Sequence, residues 1–138
     1  MPLTLTLTEG VLPLGQEKAA FSRLCEAMLK WHGLTGNKFM TAAVIGSIHV
    51  LPKEHTYSGL TENSVVFIEW KVPPVAFTQR DAQVGYVAEA TRIIQEMSGG
   101  NQPAERIWVN VVHALDGAWG IAGQAMTGAQ LGEAIAQG

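Results

Sequence analysis

The sequence has a single cysteine, Cys25, and only four histidines, which are scattered along its 138 residues. One cysteine excludes a disulfide within the chain and a metal site built from cysteines of one chain. The histidines are not clustered at the spacings of metal ligands. We therefore expect no metal and no structural disulfide.

Charge is scarce as well: charged residues make up 15% of the chain, and the formal net charge is −3. Such a surface attracts a polyanion poorly, so we expect no nucleic-acid partner. No apolar run approaches the roughly 20 residues that span a bilayer, and no signal peptide is evident. The expectation is a cytoplasmic protein without a membrane partner.

Hydrophobic residues are abundant, at 47% of the chain, which is ample for one core. The first eight residues, MPLTLTLT, alternate leucine with threonine and predict a half-buried strand. Pro2 is acceptable there as the first residue of a strand. Removal of Met1 would leave Pro2 with a free secondary amine. A terminal amine titrates near pH 8, and burial lowers that value, so Pro2 is a candidate general base or nucleophile.

Further along, the pattern strand–helix–strand occurs twice. The first unit adds a helix over about 16–32 and a buried strand over 40–51; the second has a strand over 64–72, a helix over 79–97 capped by Thr78, and a strand over 106–113. The apolar stripe of the second helix is expected to include Val84 and Val87. A glycine-rich hairpin at 118–123 and a short helix capped by Thr127 follow.

These elements predict a single α+β domain of two pseudo-repeats, 1–60 and 61–138. Each strand–helix–strand crossover makes its two strands parallel. The two units can therefore form one four-stranded mixed sheet with two helices on one face. The strands look too apolar for the other face to remain in water, so we expect oligomerisation to cover it.

Three stretches resemble the tautomerase superfamily, which includes 4-oxalocrotonate tautomerase, macrophage migration inhibitory factor and proteins like the fused-subunit cis-3-chloroacrylic acid dehalogenase. They are Pro2 with its alternating strand and Glu9-Gly10, the segment from HVLP through YSG, and PAERIWVNVVHALDGAWGIAGQAM. The resemblance spans nearly the whole chain. It implies the fold predicted above, a homotrimer, and an enzyme without a cofactor.

The resemblance also implies roles for particular residues. Pro2 would be the catalytic acid or base. Trp119 would be an apolar wall that keeps the proline amine less charged, and Val72 would line the same pocket. Trp108 and Asn110 on the fourth strand would contact substrate and reach the proline of a neighbouring subunit. Lys38 lies in the connection where a pocket lysine occurs in the superfamily.

The sequence departs from the superfamily where arginines usually bind a substrate carboxylate. Val11 occupies one such position, and the loop after the third strand, Val72-Pro73-Pro74-Val75, has no arginine. The nearest is Arg80, already inside the helix. Dicarboxylates and haloacrylates are therefore less suited than an aromatic or neutral carbonyl compound. His32 lies near the position of a histidine that the dehalogenases use.

Each of these residues also has a purely structural interpretation. Trp108 and Trp119 would then pack in a core or an interface, and Asn110 would satisfy a backbone group. Arg80 and Lys38 would be solvated charges, and His32 would interact with a helix dipole.

The leading functional hypothesis is a tautomerase that uses Pro2 as general acid/base on a small enol or keto compound. One alternative is a hydratase, dehalogenase or decarboxylase that uses the same proline to activate water. The other is a non-catalytic trimeric interaction module.

Overall fold

The computed structural model describes residues 1–138. Its α-helices and β-strands, in chain order, are β1 (Pro2–Thr8), α1 (Glu17–Trp31), α2 (Lys38–Ala43), β2 (Ile45–Leu51), β3 (Tyr57–Ser58), β4 (Thr61–Glu62), β5 (Val66–Val72), α3 (Arg80–Met97), β6 (Ile107–His113), β7 (Trp119–Ile121), β8 (Gln124–Met126) and α4 (Gly128–Gln137). None of the helices is long and apolar enough to cross a bilayer.

The central sheet has the strand order β2-β1-β5-β6. Strand β1 is parallel to β2 and antiparallel to β5, and β5 is parallel to β6. Each strand–helix–strand unit thus contributes one parallel pair, and the units join through the antiparallel contact of β1 with β5. The predicted α+β fold with a four-stranded mixed sheet is confirmed. The division at residue 60 falls inside the short β3–β4 hairpin and stays a prediction.

Buried and exposed residues alternate along the strands, and the buried ones lie on the sheet face that packs against the helices. Leu3, Leu5 and Leu7 of β1 are buried, as are Val66, Ile68 and Trp70, which lie opposite them on β5. They belong to one core with residues of both long helices, including Leu24, Met28, Tyr86 and Ile94. The indole N–H of Trp70 donates to the Tyr86 hydroxyl at 2.7 Å, which satisfies the polar atom of a fully buried side chain.

The opposite face carries no helix, and we call it the open face. The intervening residues Pro2, Thr4 and Thr6 of β1 lie on it, beside Glu69 and Phe67. Four large apolar side chains remain at least two-fifths exposed on this face: Ile45, Phe67, Trp108 and Val112. Phe67 and Trp108 are paired side by side, whereas the row of Thr4, Glu69 and Asn110 separates them from Ile45 and Val112. Exposed apolar pairs such as Phe67 and Trp108 are the part of this mixed face that a partner would cover.

The prediction of one buried strand over 40–51 is wrong at its start and in its burial. Residues Lys38–Ala43 form α2, because the Asn37 side chain accepts the Met40 N–H at 2.9 Å and caps a helical turn. The strand begins at Ile45, and most of it is exposed because β2 is an edge strand.

Two details of α3 also differ. The N-cap is Gln79 rather than Thr78, whose hydroxyl instead donates to Val75 O. The buried stripe consists of Ala82, Tyr86, Ala90, Ile93 and Ile94, whereas Val84 and Val87 are half exposed. The helix is turned so that its tyrosine, and not its valines, fills the space over β5.

The C-terminal segment follows its prediction. Strands β7 and β8 form a hairpin, and Thr127 caps α4 with Gln130 in a reciprocal capping box. This segment places Trp119 beside the beginning of β1.

Candidate active site

The site is organised around the beginning of β1. The ammonium of Met1 donates to Ala43 O at 2.7 Å, and burial lowers its pKa. Pro2 is the first residue of β1 and lies opposite Ile45 of β2, as the sequence predicts for a proline without a donor. The main-chain nitrogens at this position are therefore fixed by a central strand of the sheet.

A cavity of about 200 Å³ adjoins Pro2, and most of its wall is apolar. Val72 and Pro73 at the end of β5 form one side, and Trp119 and Ile121 of β7 form another. A wall of this kind disfavours a charged amine, because burial penalises the ammonium more than the neutral form.

Pro73 begins a loop that runs to Gln79, and two histidines hold this loop in place. The Nε2 of His32 accepts the Phe77 N–H at 2.9 Å while its Nδ1–H donates to Met28 O at 2.8 Å. The Nε2–H of His113 donates to Ala76 O at 2.7 Å. Phe77 has a φ of 55°, a conformation that side-chain-bearing residues rarely adopt. These contacts fix the loop in a conformation that it would not favour alone.

The β7–β8 hairpin contributes the largest aromatic group of the wall. Trp119 lies opposite Met126 in the hairpin and packs against the core. Its Nε1 is buried and has no hydrogen-bond partner. An unpaired buried donor is costly, and in a native structure it calls for an explanation such as an ordered water or a bound group.

Of the residues selected from the sequence, Pro2, Val72 and Trp119 line the cavity. Trp108 and Asn110 lie on the open face, on β6, two strands away from β1. Two strand spacings are on the order of 10 Å. Within one chain these two side chains are therefore separate from Pro2, and Trp108 is 61% exposed.

Lys38, Arg80 and His32 also lie outside the cavity. Lys38 is the first residue of α2. Arg80 begins α3, and its guanidinium contacts the Gln83 amide oxygen at 3.4 Å. Both ring nitrogens of His32 are engaged by the backbone, so its place here is structural support of the Pro73–Gln79 loop.

The cavity contains one ionisable side chain that the sequence did not single out as a candidate, Lys71 of β5. Because Leu3 lies opposite Trp70, the next pair in the antiparallel register is Pro2 and Lys71. The alternation along β5 indicates that Lys71 points away from the core, but only the pairing of β1 with β5 places it beside Pro2.

A larger cavity, of about 420 Å³, lies at the opposite end of β1 between Thr8, Glu9, Lys53 and Gln102. Its lining is almost entirely polar, and it does not include Pro2. No group of three or more His, Cys, Asp or Glu side chains in the chain is arranged to hold a metal ion. The combination of terminal amine and apolar wall therefore points to the smaller cavity.

No family model and no curated protein matches this sequence. Solved structures do share its fold. The structure of Pt0534 inactivated by 2-oxo-3-pentynoate is 19% identical with a TM-score of 0.77, and the match covers 96% of this chain and 99% of that one. A symmetric trimer of fused 4-OT matches at 10% identity and a TM-score of 0.76 over 96% of this chain and 99% of that chain.

FG41 malonate semialdehyde decarboxylase inhibited by 3-bromopropiolate is also similar, at 13% identity and a TM-score of 0.69 over 96% and 97% of the two chains. At these identities the likeness establishes the fold. The chain has the same fold as these structures, with two strand–helix–strand units in one chain. The predicted resemblance is confirmed at that level.

Proposed function

We propose that the chain is a tautomerase-like enzyme whose Pro2 amine, freed by removal of Met1, transfers a proton between carbon and oxygen of a small carbonyl compound. The observation that carries the proposal is the place of Pro2, at the beginning of a central strand and against a mostly apolar cavity. The burial that lowers the pKa of the Met1 ammonium favours a neutral amine at this end of the strand.

In this proposal the neutral amine removes a proton from the enol oxygen or from the carbon beside the carbonyl, and returns it to the other atom. Val72 and Trp119 exclude water from the reacting groups. The developing enolate oxygen needs a hydrogen-bond donor, and such preorganised donors are usually the largest contribution in this chemistry. Asn110 from a neighbouring subunit is our candidate for that donor.

The proposed assembly is a homotrimer. Two observations support it: the exposed apolar side chains on the open face, and the trimeric state of the fused 4-OT structures with the same fold. An assembly would cover Phe67 and Trp108, which are otherwise exposed. It would also give Trp108 and Asn110 a route to a neighbouring Pro2 that they lack within one chain.

The test compares the wild-type protein with Pro2→Ala in ketonisation of phenylenolpyruvate, followed by ultraviolet absorbance. Mass spectrometry first establishes that Met1 is absent from both preparations, and sedimentation establishes the assembly. We expect wild-type turnover and a loss of at least about 100-fold in Pro2→Ala, since general acid–base catalysis contributes about 10² to 10⁴. Equal rates in the two proteins would refute the role of Pro2 and favour a non-catalytic trimeric module.

The same preparations can be treated with 2-oxo-3-pentynoate, the compound that inactivates Pt0534. The neutral amine of Pro2 would add through nitrogen to the alkyne carbon remote from the carbonyl, and the proton of the amine would pass to the adjacent carbon. We expect a mass increase equal to that of the whole reagent, located on the first residue. Pro2→Ala, whose primary amine is differently placed, should react more slowly.

The decarboxylase neighbour supports a second candidate, in which the proline activates water. Turnover of a 3-haloacrylate or of malonate semialdehyde, measured beside that of phenylenolpyruvate, separates the two. The cavity has no carboxylate side chain to orient a water molecule, so we expect the enol to be the better substrate.

A further inference from the structure

The side chains that line the Pro2 cavity have an uneven hydrogen-bonding capacity. Only two of them are polar, Lys71 and Trp119. The lysine ammonium and the indole N–H both donate, and neither can accept. A cavity with donors, no side-chain acceptors and apolar walls complements a ligand with an apolar body and an anionic or strongly accepting group.

Lys71 is fixed on the correct face by the strand it belongs to. Its neighbours Trp70 and Val72 are buried in the core, so Lys71 points to the open face beside Pro2. Directly opposed residues of an antiparallel pair have Cβ atoms about 4.5–5.5 Å apart. The flexible four-carbon stem can then bring the ammonium to any part of a ligand that touches Pro2.

Lys71 is also free to bind a ligand. Its nearest acidic group is Glu69 on the same strand, with Nζ and Oε1 3.8 Å apart and the two side chains 64% and 39% exposed. A long, exposed ion pair contributes little and is readily exchanged for another anion. Trp119 Nε1 is a second donor without an acceptor, although the atom itself is buried in the protein.

We propose that Lys71 is the specificity-determining residue of this site and binds the carboxylate of a small 2-oxo monocarboxylate. The inference rests on the proposed function for one point only, the orientation of the carbonyl towards Pro2. The single cation fits one carboxylate, and no second positive side chain lines the cavity for a dicarboxylate. Lys71 thus binds the carboxylate that an arginine would bind, at a site where this sequence has no arginine.

The test measures binding rather than turnover. The ligands are pyruvate and pyruvamide, which have nearly the same shape and differ in the charge of one group. The proteins are wild type, Lys71→Met, Lys71→Arg, and Lys18→Met as a matched control on the exposed surface of α1. Dissociation constants come from titrations followed by amide and indole resonances in ¹⁵N-labelled protein, with the Trp119 indole as a reporter in the cavity.

We expect wild type and Lys18→Met to bind pyruvate about 10- to 100-fold more tightly than pyruvamide, a ratio equivalent to about 1.4–2.8 kcal/mol. Lys71→Met should abolish this preference by weakening pyruvate alone, and Lys71→Arg should retain most of it.

A preference for pyruvate that survives in Lys71→Met would overturn the inference, as would a wild type that does not distinguish the two ligands. Neither result bears on proton transfer by Pro2. Conversely, Pro2→Ala should lose ketonisation and still prefer pyruvate. The two proposals can therefore fail separately.

Discussion

Gly46 allows β2 to approach β1 next to the candidate site, and its replacement by alanine is the most demanding test of the described strand pairing. A Cβ built at Gly46 would lie 1.9 Å from Leu3 O and 2.9 Å from the Phe21 ring. The first contact is with backbone of the neighbouring strand, which cannot rotate away as a side chain can. The closest usual carbon–oxygen approach between strands is about 3.3 Å.

The strands must therefore separate by about 1.4 Å at this point. A ladder hydrogen bond of about 2.9 Å would lengthen to about 4.3 Å, well beyond bonding distance. Two such bonds contribute about 1 kcal/mol each, and one buried backbone group of β1 left without a partner costs about 1–3 kcal/mol more, whereas groups on exposed β2 can turn to water. We expect Gly46→Ala to lower the free energy of unfolding by about 3–5 kcal/mol, a large part of the 5–15 kcal/mol typical of a domain.

The assay is urea unfolding followed by tryptophan fluorescence, with Gly132→Ala as the matched control. A Cβ at Gly132 meets nothing within 4 Å, and the residue lies inside α4. There alanine should stabilise the protein by about 0.8–1 kcal/mol through helix propensity. A Gly46→Ala protein within about 0.5 kcal/mol of wild type, beside the expected gain in Gly132→Ala, would refute the β1–β2 approach described here.

The other predictions concern two partly buried polar side chains, Cys25 and His32. Burial, with the nearby Glu26 charge, raises the pKa of the Cys25 thiol to about 12. Iodoacetamide at pH 8 should therefore label the folded protein about three orders of magnitude more slowly than the urea-unfolded protein. Similar labelling rates would contradict the burial of the thiol. Replacing His32 by phenylalanine preserves the edge-on ring contact with Phe77 but removes the acceptor of its N–H. We expect the free energy of unfolding in urea to fall by about 1–3 kcal/mol in His32→Phe. The control is His49→Phe on exposed β2. Unchanged stability in His32→Phe would show that the hydrogen bond to Phe77 does not hold the loop.

The sequence predicted the elements whose signals are local. The alternation after Pro2, the helical spacing from Glu17 to Trp31 and the Thr127 cap need only neighbouring residues to be interpreted, and the structure has all three. The apolar run from Met40 to Leu51 fails this condition. Short apolar segments of small and β-branched residues are compatible with a helix or a strand. Here the hydrogen bond from Met40 N–H to the Asn37 side chain stabilises the helix α2.

The candidate site was only partly predictable, for a related reason. Pro2 and Trp119 could be assigned by their resemblance to a known pattern, and both line the cavity. Lys71 could not, because its proximity to Pro2 arises from the antiparallel pairing of strands from different units. Two strand–helix–strand repeats specify the parallel pairs within each unit but not which strands meet between units.

That pairing between units bears on how such a protein can change over generations. In an oligomer of identical short chains, any substitution appears in every copy and alters all equivalent positions together. Here the strand that begins with Pro2 and the strand that carries Lys71 are encoded separately on one chain, although they are adjacent in the sheet. A mutation in the second unit can change the side chains that surround Pro2 while the sequence of the first unit stays the same. Because the two units lie on one chain, the residues that each contributes to the cavity can evolve independently.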